Sequence, residues 1–492
     1  MKSLHLYRNL PVFALLILLL WGCKQPETVI INDAPRTTAE ADTTDQTTDE
    51  SASFQKLVIG EYQSITSFDP LLANNSATLR ALQLIYEGLV RLNNTGDVTP
   101  AVAKSWEVSP DSTRYTFQLN RNIYYHDNDV FSTGTGRRLT ANDVKFVFER
   151  MALKGVPKKA ANLFMNIRGF EPFFQEQQHI YVPKQRTLAD VSGIQTPNDS
   201  TVVFELKQKD PRFLKKLATP YAVIYPHEAV NSSQNTFAPV GTGPFRFSTN
   251  RSDSLYVFSK SEKYRQQSQI QLNRADIITG QSEKQLLRQL GTEDIGVLPQ
   301  MGPNMIQNLI GNNGELIPSY KGQFVLNKRN LPTTFALYHN GNAPFSSADA
   351  QRLSALAYEH TSQYFGQLPT SIVYPDSLPQ SSLFDTTLAA DQIDVIYSDD
   401  PYVRTYLGSL SKVVSQQNTK LQMVEIRVPT SDTELYFKKG LPLIDNNDNS
   451  NEPIFRFYVH PPSLQRSGVQ NLNFNDYVWW IDLRNVTVPT TD

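Results

Sequence analysis

The sequence is poor in the residues that carry chemistry or cross-links. Cys23 is its only cysteine, so no disulfide can form within the chain. None of its seven histidines stands at zinc-ligand spacing from another histidine, a cysteine or a carboxylate, and we predict no cofactor. Neither a nucleophile elbow nor a Ser-x-x-Lys motif with its partner motifs is present. These absences argue against a metal enzyme and against a hydrolase.

An excess of positive charge is also lacking. The chain has 46 lysines and arginines against 48 aspartates and glutamates, which gives a formal net charge of −2. Proteins that bind nucleic acid carry basic patches that meet the phosphate backbone. We therefore predict no nucleic-acid partner.

Long apolar runs are rare, and the clearest one lies at the start of the chain. Lys2 and Arg8 precede the uninterrupted run Pro11–Trp21. These eleven residues are too few for a helix that crosses a bilayer, which needs about 20, and they are typical of a signal peptide (residues 1–22). A small residue precedes Cys23, as in a lipobox, so we expect Cys23 to carry a lipid. The alternative is a buried cysteine in an uncleaved segment.

The segment that follows is rich in threonine, aspartate, glutamate and alanine. Residues 24–54 cannot bury enough apolar surface to offset the entropy of ordering, and we predict a flexible tether. Residues 55–492 exceed what one hydrophobic core normally supports, so at least two domains are expected.

Three local patterns follow one another between residues 78 and 150. Thr78–Leu92 carries apolar residues at helical spacing, with Gly88 as a plausible stop. Two alternating segments flank Ser109–Thr113 and predict a hairpin. Thr140 and Asp143 stand as in a capping box before a second helix. The candidate core residues of this region are aromatic: Trp106, Tyr115, Phe117, Phe146 and Phe148.

These patterns carry a family resemblance. The string YEGLV…PAVAKSWEVSPD…YTFQLN…LTANDVKFVFERM resembles the signature of family-five extracellular solute-binding proteins, the oligopeptide, dipeptide and nickel receptors of ABC importers. Pro239–Phe247 (PVGTGPFRF) also matches this family. Its two glycines permit a tight turn, and no third glycine or lysine follows to make a phosphate loop. The resemblance covers residues 56–428 and is strongest in the first half.

The resemblance implies an α/β fold of the type II periplasmic-binding-protein class, with two hinged lobes and an extra α/β domain inserted in the first. We predict lobe I at residues 55–89, 194–265 and 471–492, the extra domain at 90–193, and lobe II at 266–470. A ligand between the lobes would close the hinge.

In function, the resemblance implies a monomeric extracytoplasmic lipoprotein, periplasmic or at the cell surface and held on a bacterial membrane by Cys23. It would capture a peptide-like ligand and deliver it to the permease and ATPase subunits of an ABC importer. The alternative is a ligand-binding or sensing lipoprotein with a degenerate second lobe and no transporter.

The last part of the second lobe departs from the family. Peptide receptors place an aspartate there against the amine of the ligand, but Ile454–Pro462 carries Arg456 and His460 and no acid that can be aligned. A buried ammonium without a carboxylate is costly, so we expect poor binding of free dipeptides and a preference for longer, capped, neutral or anionic ligands. The alternative, a solvated Arg456 with a different acid in the cleft, stays open. The candidate ligand-contacting residues are Ser64, Asn340, Arg456, His460 and Trp479.

Two further expectations concern secondary structure. Asn162–Gln178 predicts one helix, and Asn473–Arg484 predicts a terminal strand that returns to the first lobe. Because neighbouring strand residues face opposite sides of a sheet, at most one of Trp479 and Trp480 is expected in the core.

Overall fold

The computed structural model describes residues 55–231, 234, 236–292, 295–339, 347–365, 373–375, 388, 391–397, 400–417, 419–425, 435–440, 453 and 455–489. Within these ranges no helix is both long and apolar enough to cross a membrane. The α-helices, in chain order, are α1 (Ser76–Ile85), α2 (Ala141–Met151), α3 (Lys158–Phe164), α4 (Phe170–His179), α5 (Phe213–Leu217), α6 (Glu283–Gly291), α7 (Pro303–Leu309), α8 (Ser347–Phe365) and α9 (Pro401–Ser415).

The strands pair into two large sheets, a four-stranded sheet and three short ribbons. In chain order they are β1 (Lys56–Gly60), β2 (Glu87–Gly88), β3 (Val90–Leu92), β4 (Val98–Pro100), β5 (Ala103–Val108), β6 (Arg114–Leu119), β7 (Ile194–Asn198), β8 (Thr201–Glu205), β9 (Val223–Ile224), β10 (Val230–Asn231), β11 (Thr236–Phe237), β12 (Phe245–Ser252), β13 (Leu255–Lys260), β14 (Arg274–Ile278), β15 (Val297–Leu298), β16 (Phe324–Asn327), β17 (Thr333–His339), β18 (Val373–Pro375), β19 (Gln392–Tyr397), β20 (Lys420–Glu425), β21 (Leu435–Gly440), β22 (Phe455–Val459) and β23 (Ser463–Arg466).

The first large sheet is built around β1. Its order is β12-β13-β14-β1-β15-β23-β16. β1 pairs in parallel with both β14 and β15, so the carboxyl ends of these three strands meet at one edge of the sheet. Leu57 and Ile59 are almost fully buried, whereas Lys56 is exposed, which is the alternation expected of a strand with a buried face. The loops at this edge are well placed to bind a ligand.

The second large sheet has the order β18-β22-β17-β21-β19-β20. Two segments connect it to the first sheet. We call residues 328–332, between β16 and β17, the first crossover, and residues 460–462, between β22 and β23, the second crossover. Buried apolar side chains form two separate clusters, one beneath the first sheet and one that joins α6 and α7 to the second sheet. Both clusters lie within residues 52–492, which form one compact unit.

The smaller sheet, β5-β6-β8-β7, packs against α2. β5 and β6 are the predicted hairpin, and α2 begins after Thr140 as predicted, where the backbone N–H of Thr140 donates to Asp143 at 2.8 Å. Of the five aromatic core candidates, Tyr115, Phe117 and Phe148 are buried. Trp106 and Phe146 are only partly buried. They pack against the core and do not lie inside it, contrary to the prediction. Trp106 lies on β5 at the edge of this sheet, and its ring centre lies 6.2 Å from that of Phe117.

The predicted helix over residues 162–178 is two helices, α3 and α4. Gly169 separates them with a φ of 75°, a left-handed conformation that glycine adopts without strain. A side chain at this position would also collide with Ser192, because an added Cβ would lie 2.3 Å from its Oγ. Apolar residues keep their helical spacing on both sides of Gly169, so the spacing alone could not reveal the break between α3 and α4.

The GTG turn joins extended segments, as predicted. An added Cβ at Gly241 would lie 2.1 Å from the carbonyl oxygen of Ile85, and one at Gly243 would lie 2.6 Å from that of Leu84. The turn therefore passes directly over the end of α1 before β12 begins. Both glycines serve close backbone approach, which agrees with the rejection of a phosphate loop.

The predicted terminal strand is wrong. Residues 473–484 form turns and isolated bridges, with the Trp480 N–H donating to the carbonyl of Tyr477 at 3.0 Å. Because the segment is not a strand, neighbouring side chains need not face opposite sides of a sheet, and both Trp479 and Trp480 are buried. The indole N–H of Trp480 donates to the Leu92 carbonyl at 3.2 Å, which fixes this segment against the β3–β4 ribbon.

The predicted lobe limits do not coincide with the limits of the sheets. β14, β15, β16 and β23 fall inside the predicted lobe II yet pair in the first sheet. β7 and β8 fall after the predicted extra domain yet complete its sheet. A strand can be recognised locally, but its partner across a hundred or more residues is set by packing of the whole chain. The division into lobes stays a prediction.

Candidate ligand cavity at the crossovers

An open cavity of about 770 Å³ lies between the carboxyl edge of the first sheet and helix α9. Loops after β1 and β14 supply one side, α6 and α7 supply the floor, and α9, which follows β19 of the second sheet, supplies the opposite side. The cavity thus contacts elements of both large sheets. Its lining residues are Tyr62, Ser64, Gly280, Gln281, Ser282, Glu283, Lys284, Gln285, Leu287, Asn304, Met305, Asn308, Pro401, Arg404 and Thr405.

Ser64 and Gly280 bring the loops after β1 and β14 into contact. Gly280 has a φ of 66°, and a Cβ added there would lie 3.0 Å from the Ser64 hydroxyl. Ser282 caps α6, and its hydroxyl accepts from the Gln285 N–H at 3.3 Å. These local contacts hold the backbone of the cavity wall in place.

Two of the helices that face the cavity begin with fixed carboxylates. Asp400 is the N-cap of α9 and accepts from the Tyr402 N–H at 2.9 Å. Glu283, at the start of α6, accepts from the Met305 N–H at 2.9 Å and from the Asn304 amide at 3.0 Å. Burial raises the pKa of Glu283, and the charge of Asp400 raises it further. Both acids are therefore already engaged by the protein.

Among the described residues that line the cavity, the exposed charges are positive. Lys284 on α6 and Arg404 on α9 are exposed, whereas Glu283 is buried. Lys284 lies on α6, in the floor of the cavity, and Arg404 lies on α9, on the side of the second sheet. A ligand carboxylate between them would gain two favourable charge interactions.

Arg329 fastens the two crossovers to each other. Its side chain is 3% exposed, and its guanidinium donates to the carbonyl of Pro461 and, at 2.9 Å, to that of Pro299. No carboxylate among the described residues lies within 4 Å of it. Burial, with the charge of Arg80 as a second cause, lowers the pKa of Arg329 to about 9. The His460 ring meets the Arg329 carbonyl at 3.0 Å, a further contact between the crossovers.

A buried ion pair lies next to the cavity. Arg80 of α1 and Glu61, directly after β1, meet at 2.6 Å, and both side chains are 2% exposed. A second bond joins the Arg80 Nε to Glu61 at 2.6 Å, and Arg80 also donates to the Val478 carbonyl. The pair therefore ties α1, β1 and the C-terminal segment together. Neighbouring Tyr62 is buried, and burial raises the pKa of its hydroxyl.

The structure brings one predicted ligand residue, Ser64, to the cavity wall. His460 lies in the second crossover, and Arg456 lies on β22 opposite Ala336. Trp479 is fully buried and packs on the ring of Tyr477, so its indole does not reach the wall. Asn340 and Cys23 lie outside the described residues. No group of three His, Cys, Asp or Glu side chains suited to a metal occurs in the part of the chain that the structure describes.

Sequence reasoning missed Glu283, Arg404 and Arg329. Each lies on a different element, and none belongs to a motif. The capping pattern Ser282-x-x-Gln285 and the Asp400-Pro401 pair did mark the starts of α6 and α9. Those signals predict where the two helices begin, but they do not show that both helices line one cavity.

A family profile described as "Bacterial extracellular solute-binding proteins, family 5 Middle" matches residues 97–353, just over half of the chain. Among individual proteins, the dipeptide-binding protein of Escherichia coli is 29% identical over 206 residues, 40% of this chain and 36% of that protein. The peptide transport periplasmic protein SapA of Salmonella typhimurium is 31% identical over 242 residues, 47% of this chain and 39% of that protein. The chain thus matches less than half the length of these relatives.

Similarity of fold extends further than similarity of sequence. OppA of Haemophilus influenzae, solved in complex with the peptide RPPGFSPFR, superposes with a TM-score of 0.70 at 13% identity, covering 88% of this chain and 99% of that one. AgaA of Agrobacterium tumefaciens, solved with agropinic acid, gives a TM-score of 0.67 at 15% identity, and the match covers 89% of this chain and 99% of that one. The fold is that of the type II periplasmic binding proteins, as the sequence predicted.

Proposed function

The chain belongs to the bacterial extracellular solute-binding proteins of family 5, which are binding proteins and not enzymes, and we propose that it captures a peptide-like solute between its two large sheets. The observation that carries this proposal is the cavity of about 770 Å³, which contacts loops of the first sheet and α9 of the second. A solute that touches both sides stabilises the closed arrangement of the sheets more than the open one. Movement would be taken up by the two crossovers.

Delivery to an ABC permease and its ATPase completes the proposed function. The names of two relatives, a dipeptide-binding protein and a peptide transport protein, support this role. The alternative, a ligand-binding lipoprotein without a transporter, would use the same cavity. Reconstitution with candidate ABC permease and ATPase subunits separates the two, because only a transport receptor stimulates ATP hydrolysis when loaded.

The charges of the cavity favour an anionic group on the ligand. Lys284 and Arg404 are the exposed charged residues of the wall, and Glu283 is already bonded to α7. Among the described residues of the wall, a ligand carboxylate meets exposed cations, whereas a free amine meets no exposed carboxylate, so a ligand with a free carboxylate fits this wall better. This agrees with the expectation from the sequence that simple dipeptides bind poorly.

Mass spectrometry of the solute that copurifies with the protein, followed by calorimetry with di- to pentapeptides, tests the proposal. We expect a peptide-like solute with a free carboxylate and weaker binding after amidation of that group. Micromolar binding of simple dipeptides that is lost on amine acetylation would contradict the expected preference. Absence of binding by any peptide-like solute would overturn the proposed function.

Reversing the charge of Arg404 is expected to weaken ligand binding. The Arg404→Glu variant replaces a favourable charge with a repulsive one at the second-sheet side, and we expect Kd to rise at least about tenfold. Calorimetry with the copurifying solute measures the change. Lys420→Glu is a matched control, since Lys420 is exposed at the amino end of β20, away from the cavity. Equal losses in both variants would show a nonspecific effect of charge.

We also propose that Cys23 is the first residue of the mature protein and carries a lipid. The apolar run before it and the polar segment after it support this. The Cys23→Ser variant is expected to lose its attachment to membranes or to accumulate unprocessed, as membrane fractionation and the mass of the product would show. A variant of normal mature size that still sediments with membranes would exclude the lipid anchor.

A further inference from the structure

Four exposed apolar side chains lie together on the small α/β region. Leu153, Tyr181, Val182 and Leu188 are 39%, 73%, 49% and 39% exposed, and we call them the loop patch. They are four of the ten large apolar residues that are exposed in the described part of the chain. Scattered single residues of this kind are ordinary, but a contiguous group marks a surface that contacts something.

Contacts show that the loops carrying the loop patch are neighbours. The ammonium of Lys154 lies 3.4 Å from the centre of the Tyr181 ring. The Gln178 amide donates to the Leu153 carbonyl at 3.2 Å, which joins the loop after α2 to the end of α4. Glu176 accepts from the Leu188 N–H at 2.9 Å, which holds the third loop against α4. The patch therefore has a fixed base on α4.

The surroundings of the loop patch are basic. Residues 151–190 contain three acids, and each is engaged: Glu171 with Lys207 at 2.8 Å, Glu176 with the backbone of Thr187 and Leu188, and Asp190 with Lys145 at 2.5 Å. The same stretch contains more cations than acids in a protein whose overall charge is slightly negative. These cations are Lys154, Lys158, Lys159, Arg168, Lys184 and Arg186.

We propose that the loop patch docks the folded body on a membrane surface that carries anionic lipid headgroups. A tyrosine has an apolar ring and a polar hydroxyl, which suits the boundary between headgroups and acyl chains. Lysines beside it attract anionic headgroups while their methylene stems cover apolar surface. Apolar and basic residues on one surface are the combination that holds proteins at an interface without a membrane span.

Vesicle binding by residues 52–492, the compact unit that holds both apolar clusters, tests this proposal apart from any lipid on Cys23. We expect binding to vesicles of phosphatidylcholine with about 30 mol% phosphatidylglycerol, and little to phosphatidylcholine alone. Binding should weaken between about 0.1 M and 0.5 M salt, because added salt shortens the Debye length. Vesicle flotation gives the partition coefficient.

Two double variants separate the charged and apolar contributions. Lys154→Glu with Lys184→Glu should lower the partition coefficient at least about 20-fold, since each basic residue near the surface contributes about fivefold. Tyr181→Ser with Val182→Ser should lower it by about tenfold, through loss of apolar burial. All four residues are exposed, so thermal unfolding should be unchanged.

Matched controls carry the same changes elsewhere. Lys104→Glu with Lys209→Glu reverses two exposed lysines outside the patch, and Val325→Ser removes an apolar side chain that is 42% exposed on β16. Both should bind vesicles like the wild type. Equal binding to neutral and anionic vesicles, or equal losses in the controls, would overturn the proposal.

Other occupants would give different results. A synthetic peptide of residues 24–54, which is acidic, would bind the unit and displace vesicles if the chain covered its own patch. A cross-linker at position 181 that captures a protein, without any vesicle binding, would show a protein partner. Either outcome contradicts docking on lipid.

Discussion

Replacing Arg80 with leucine is expected to lower the free energy of unfolding by about 3–5 kcal/mol, because it leaves a buried carboxylate without its partner. Glu61 and Arg80 are both 2% exposed and are joined by two hydrogen bonds of 2.6 Å. The change also removes the donor to the Val478 carbonyl. Urea unfolding followed by tryptophan fluorescence measures the loss.

Two comparisons test whether the loss in Arg80→Leu comes from the unpaired buried carboxylate. In the double variant Arg80→Leu with Glu61→Gln neither charge of this pair remains, so the double variant should be more stable than Arg80→Leu alone. Arg114→Leu removes the cation of a pair with Glu205 in which the arginine is 48% exposed, and should cost no more than about 1 kcal/mol. A loss of similar size for Arg80 and Arg114 would mean that the buried pair has no special role.

Stability is expected to fall by up to about 3 kcal/mol as the pH drops from about 6.5 to about 4, because of His126 alone. His126 is 3% exposed; its Nε2 donates to the Gly243 carbonyl at 2.9 Å, and its Nδ1 has no partner among the described residues. Burial lowers its pKa from 6.5 to about 4. The unfolded chain therefore binds a proton in this range before the folded chain does, so the stability present above pH 6.5 is lost as the pH falls.

The His126→Gln variant isolates this contribution. Its amide can donate to the same carbonyl but does not titrate, so the difference in stability between pH 7 and about 4 should shrink by up to about 3 kcal/mol. His227→Gln is the control, because that ring is 64% exposed. Burial also lowers the pKa of His360 and of His460. These two histidines therefore also make stability fall with falling pH, and they do so in the wild type and in both variants. Parallel pH profiles of wild type and His126→Gln would exclude the role of His126.

Local signals in the sequence predicted local structure well. The hairpin of β5 and β6 and the start of α2 at Thr140 depend on residues within a few positions of each other. The same kind of reasoning was wrong where a single residue interrupted a helix whose apolar spacing continued across it. Gly169 divides the apolar pattern into α3 and α4, with a left-handed φ and with Ser192 so close that no Cβ would fit.

The candidate site could be predicted only in part, because its residues are distant in sequence. Ser64 was among the predicted ligand residues, and it lines the cavity. Arg404 approaches the same cavity from α9, more than 300 residues later, through the order of two sheets that no local pattern encodes. Trp479 was misplaced because a turn at Tyr477 replaces the expected strand and buries both tryptophans.

The position of β23 has a consequence for the order in which the chain folds. β23 lies between β15 and β16, which do not pair with each other, so the first sheet stays incomplete until the chain has reached Arg466. A ribosome that adds about 5–20 residues per second needs on the order of 20–80 s to pass from β1 to β23. Throughout that time β15 and β16 lack the strand that pairs with both of them, so strand edges of the first sheet stay unpaired while this part of the chain is being made.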